Sequence, residues 1–145
     1  MPTSKAEQIA QQVITLLTVP AIDGVAAGHV LRDPLDALDS ESFPVLCVEL
    51  GDEGVPARPV TSVKQRAVLL SVSVLAAGSA PLVVADPIAT EAANRVLADP
   101  TLGGLAVDLA ELGTERHRDE LGEGTAKIVL NFQVDYRTTD IRKDI

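Results

Sequence analysis

Residues 125–137 alternate. Ala126, Ile128, Leu130, Phe132, Val134 and Tyr136 fall on one side of an extended chain. Lys127, Asn131, Gln133, Asp135 and Arg137 fall on the other, and only Val129 is out of step. Side chains alternate between two faces with period two in a β-strand. So long an alternation is the mark of an antiparallel strand with one face on a core and the other bare. Such a strand cannot bury its apolar face alone; it requires neighbouring strands and a covering layer.

The rest of the chain supplies both. Phe43–Leu50 reads as a strand, with Leu46, Val48 and Leu50 on one face and Val45, Cys47 and Glu49 on the other. Thr61–Ala77 is a longer one. Its Val68, Leu70, Val72 and Val74 face the core, while Gln65, Ala67, Leu69, Ser71 and Ser73 form a half-polar face turned to solvent or a partner. Gly28–Arg32 and Leu105–Ala110 read as short strands. Ala6, Ile9, Ala10, Val13, Ile14 and Leu17 recur at helical spacing over Lys5–Leu17, behind a Ser4…Glu7 capping box. Asp86-Pro87 reads as the start of a second helix, because Asp is a favoured N-cap and Pro a favoured first residue. Pro100 ends it near Asp99, and its stripe of Ile88, Ala89, Ala92, Ala93 and Val96 is small enough to approach a sheet closely.

The expected fold class is α+β: an antiparallel sheet of about four to five strands with two helices packed on one face. The 145 residues suit a single domain, 1–145. Loops are expected near 33–42, 51–60 and 113–124, with an exposed tail at 138–145.

Charge and composition exclude several functions. Twelve Lys and Arg against 21 Asp and Glu give a net charge of −9, the opposite of a nucleic-acid binder. The aromatics are Phe43, Phe132 and Tyr136, too few for base stacking or an aromatic-lined ligand pocket. The lone Cys47 permits no intrachain disulfide and reads as a small buried hydrophobe. Met1–Gln12 carries no apolar signal core. The longest apolar stretch, Ala67–Ala77, is interrupted by Ser71 and Ser73 and falls short of the roughly 20 residues that span a bilayer. A soluble protein without membrane contact is expected.

No catalytic constellation is legible. His29 and His117 are too few for a histidine-rich metal site, and there is no Gly-x-Ser-x-Gly elbow. The Gly103-Gly104 and Gly122-Glu123-Gly124 stretches lack the residues of a phosphate loop and read as turns. Asp36, Asp39 and Glu41, or Asp52 and Glu53, are acidic enough for a hard cation but lack the EF-hand spacing, so solvated loops are expected. Arg116, His117 and Arg118, interleaved with Glu115, Asp119 and Glu120, form a mixed-charge segment that either rims a protein interface or is solvated. No cofactor, no metal and no enzymatic activity are therefore expected.

The C-terminal half carries a pattern. A helix ends in Asp99-Pro100-Thr101-Leu102-Gly103-Gly104, and a final strand ends in Val134-Asp135-Tyr136-Arg137-Thr138. With the N-terminal amphipathic helix and the order helix, strands, helix, strands, this resembles the tail terminators of long-tailed bacteriophages, the minor tail proteins similar to protein U of phage lambda. The residue-level likeness runs over about 86–138. It implies a virion protein, assembled in the host bacterial cytoplasm, that closes as a homo-oligomeric and typically hexameric ring on the major tail tube protein. The ring stops tube growth and offers a surface to head–tail connector or neck proteins, while DNA passes through its lumen without specific binding. Function would then sit in interfaces, with Arg116, Arg118, Asp135 and Arg137 as candidate contact residues. Two alternatives remain: another neck or tail-completion protein, and a cytosolic α+β enzyme or ligand-binding domain.

Overall fold

The computed structural model describes residues 3–26, 28–32, 43–54, 63–118 and 124–139. The elements run α1 (Lys5–Thr18), β1 (Val30–Arg32), β2 (Val45–Gly54), β3 (Val63–Ala77), α2 (Pro81–Leu97), β4 (Asp108–Arg118) and β5 (Thr125–Thr139). The strands form one sheet in the order β1-β2-β3-β5-β4. Both helices lie on one face of it, α1 over β1 and β2, and α2 over β3 and β5. This is the expected α+β class with one refinement: β1 pairs parallel with β2, and the other three pairings are antiparallel. A parallel neighbour needs a crossover of about a dozen residues, and twelve residues separate Arg32 from Val45 in the sequence.

α1 forms as its spacing dictates. The Ser4 hydroxyl accepts the Glu7 N–H at 3.1 Å, which serves one of the helix's orphan donors. Only half of the capping box closes, because the Glu7 carboxylate accepts from Arg32 of β1 instead, at 2.7 and 2.9 Å. Ala6, Ile9, Ala10, Val13 and Leu17 are buried on the sheet.

The core is the layer between helices and sheet. Val68, Leu70, Val72 and Val74 of β3 and all six alternating residues of β5 are buried, with Phe132 and Tyr136 the largest. Each of the Val, Leu, Ile and Phe side chains among them contributes about 1.5–3 kcal/mol of apolar burial. α2 meets them through Ala85, Ile88, Ala89, Ala92 and Val96.

Five boundaries differ from the sequence reading. α2 begins at Pro81, so Pro87 lies inside it and Asp86 is not its cap. The buried stripe runs back through Ala85 to Pro81, which takes the favoured first-turn position. Pro87 sits on the exposed face, where the Val83 carbonyl it cannot serve meets solvent. β2 continues through a bulge between Leu50 and Glu53 as far as Gly54, into the expected loop at 51–60. Residues 101–105 are turns, so the strand expected from Leu105 starts at Asp108. It then runs through Gly113 to Arg118, where a loop was expected. β5 likewise extends into the expected tail, and its Thr138 is buried. The loop at 33–42 and the acids Asp36, Asp39 and Glu41 lie outside the described residues.

The motif after α2 builds a tight turn. Leu102 adopts a left-handed backbone with φ 46° and is fully buried; Gly103 and Gly104 follow at φ 70° and 88°. The Asp99 carboxylate accepts the Gly103 N–H at 3.1 Å. A Cβ on Gly103 would come within 3.2 Å of Gln12 Nε2, so this position is held to glycine both by conformation and by α1.

Candidate assembly interface

The four candidate residues fall on two faces and toward opposite ends of the β4–β5 pair. β5 residues Ala126 and Ile128 point at the helices, and their partners on β4 are Arg118 and Arg116. Those two arginines therefore lie on the helix side of the outermost strand, and on a strand rather than in a charged loop. Asp135 and Arg137 lie on the bare face of β5. Seven residues separate the Ile128 and Asp135 positions along the strand, about 23 Å. The four form two separate surfaces.

Each makes few bonds of its own. Arg116 stands 3.9 Å from Asp86 of α2 in a loose, exposed pair, a kind that contributes little stability. The Asp135 carboxylate accepts from the Gln133 amide at 3.1 Å. Lys5 Nζ donates to the Arg137 backbone carbonyl at 2.9 Å, tying the start of α1 to the end of β5.

The surroundings are surfaces rather than a cleft. β4 projects beyond the helix layer, and none of its eleven residues is buried. Between it and α2 runs an open groove of about 200 Å³, floored by Ala89, Ala93, Ile128 and Leu130 and rimmed by Glu111 and Arg116. The bare face of the sheet divides in two. At the β1–β2 end Val45, Cys47 and Leu75 pack with Leu31 and Phe43. Burial there pushes the Cys47 thiol up to about 11, which leaves it an inert hydrophobe as expected. Toward β4 the face turns polar. The Ser71 hydroxyl donates to Asn131 Oδ1 at 2.8 Å, and Asn131 Nδ2 donates to the Glu115 carboxylate at 2.8 Å. His117 Nε2 lies 3.5 Å from Glu115. Spacing alone does not signal this three-strand ladder, because its members are brought together by register.

One buried polar cluster lies at the far end of the core. The Arg66 Nε donates to Thr138 Oγ1 at 3.1 Å, its Nη1 lies 3.9 Å from Glu53, and the Tyr136 hydroxyl donates to the Glu53 carboxylate. Burial pushes the Tyr136 phenol well up, and the Glu53 contact adds to it. The cluster pins the end of β2 to β3 and β5. Among the described residues, no group of three or more His, Cys, Asp or Glu is placed to hold a metal ion. No helix there is long and apolar enough to cross a membrane.

No known family profile matches the sequence, and no curated protein does. A solved structure does match in fold: a chain of the "Virion of native gene transfer agent (GTA) particle", with a TM-score of 0.56 over 89% of this chain and 94% of that one, at 16% identity. What this chain shares with that virion component is the fold over most of its length.

Proposed function

We propose that the chain is a structural protein of a phage-like virion that caps the tail tube as a homo-oligomeric ring, six copies in the form its resemblance implies. The observation that carries this reading is the fold likeness to a virion-particle chain over nearly the full length of both. The tail-terminator pattern supports it. Asp99–Gly104 makes a turn that anchors α1 against α2, and Tyr136 and Thr138 fasten the last strand. The surfaces agree with a protein that works by contact: a projecting strand and a bare sheet face.

A ring needs a heterologous contact, one surface of a copy against a different surface of the next, closing by rotation. The two separate candidate surfaces suit this, with Arg116 and Arg118 on one and Asp135 and Arg137 on the other. The net charge of −9 keeps DNA from adhering as it passes the lumen. The ring stops tube growth and presents its outer side to the head or neck.

The test is to add the purified chain to uncapped tail tubes and image them by negative stain. A discrete ring on tube ends is expected. Binding to portal or neck complexes instead would move the chain to another joint of the particle. Failure to bind either would remove it from the tail.

A further inference from the structure

We infer that two copies of this chain pair through β4, edge to edge and antiparallel, about a two-fold axis at Thr114. The inference goes beyond the ring and does not rest on it: it describes the chain off the tail tube, because a β4 edge paired this way is not free for a ring contact through Arg116 and Arg118.

Length is the first argument. The sheet has two edges, β1 with three residues and β4 with eleven. An edge strand offers backbone N–H and C=O groups for further pairing, and among the described strands a second β4 matches this edge along its length. Solvent exposure is the second. No residue of β4 is buried, and Leu112, at its bulge, is 56% exposed.

Charge and register are the third. The pairing with β5 places Leu109, Glu111, Thr114, Arg116 and Arg118 on the helix side of β4, and Asp108, Ala110, Gly113, Glu115 and His117 on the bare side, with a bulge between Glu111 and Gly113. In an antiparallel pair, residues directly opposite share a face. With the axis at Thr114, Gly113 meets Glu115 of the second copy. The bulge then takes up one residue, so Glu111 meets Arg116, Ala110 meets His117 and Leu109 meets Arg118. Every pair shares a face. Two Glu111–Arg116 pairs form, and no like charges are opposed. An axis at Glu115 or Arg116 sets that charge against itself, and one at Gly113 leaves Arg116 opposite Leu109. Charges and a bulge on an edge strand ordinarily prevent strand addition; here they oppose the other registers and leave this one open. The loose contact of Arg116 with Asp86 leaves the guanidinium able to reach across. The helices do not obstruct it. α2 lies over β3 and β5, so the two copies of α2 stand four strand spacings apart, about 19 Å, well over a helix diameter.

Sedimentation velocity on the full chain tests this with E111R, R116E and their equimolar mixture, folding being checked by circular dichroism. The wild type is expected to dimerise. Each reversal sets like charges in both pairs and should weaken association at least about tenfold. The mixture should recover the dimer, because an E111R copy and an R116E copy satisfy both pairs. That rescue belongs to a two-fold contact; in a ring each residue meets a different surface. A wild type that stays monomeric, association of any size indifferent to the reversals, or a mixture no better than its parts would overturn the inference.

Discussion

β4 and β5 lie side by side, hydrogen-bonded from Asp108–Asp135 to Arg118–Ala126, and they could hardly differ more. β5 buries six alternating side chains under the helices, whereas β4 buries none. The difference comes from the covering layer. α2 lies over β3 and β5 and meets β4 only at its margin, across a shallow groove, so burial falls away there and β4 continues as a shelf. The opposite edge sharpens the contrast. β1 is short, lies under α1 and is tied to it by the Arg32–Glu7 pair. One edge of the sheet is closed off and the other is left available. Burial and exposure therefore divide between neighbouring strands.

That division can be broken experimentally, beginning on β5. Phe132→Ala removes the largest apolar side chain of the core and should cost about 3–5 kcal/mol in urea unfolding. Tyr136→Phe keeps the ring and leaves the Glu53 carboxylate without its hydroxyl donor, so a loss of about 1–3 kcal/mol is expected by the same measurement. The closed edge should show in acid. Hydrogen bonds from Arg32 hold the Glu7 carboxyl below its ordinary 4.5. Its folded pKa is thus depressed, so its contribution is present above about pH 4.5 and fades as pH falls through the depressed value. Glu7→Gln should flatten that acid limb, by under about 1 kcal/mol because the pair is partly exposed. Arg118→Ala on the open edge should leave stability within about 0.5 kcal/mol while weakening attachment to tube ends. A loss of stability as large as that of Tyr136→Phe would mean that β4 is part of the core after all.

Legibility followed the same line. β5, the apolar half of β3 and α1 could be read because burial on one face imposes a period. β4 could not: with neither face covered, Glu111 to Arg118 follows no period and reads as a charged loop. The start of α2 was hidden by two competing prolines, and only the packing of Ala85 and Pro81 on the sheet decides between them. The placement of Arg116 and Arg118 on one face and Asp135 and Arg137 on the other depends on register, which pairs residues far apart in sequence. The polar ladder through Ser71, Asn131 and Glu115 escaped notice for the same reason. The Asp99–Gly104 turn was legible as a motif, and its conformation explains it: a buried left-handed Leu102 followed by two glycines.

The central proposal is that this protein ends the tail and joins it to the head. The most direct measurement is electron microscopy of particles made by a producer strain from which its coding sequence has been deleted. The account predicts overgrown tails of irregular length with no heads attached. Tails of normal length joined to filled heads would contradict it.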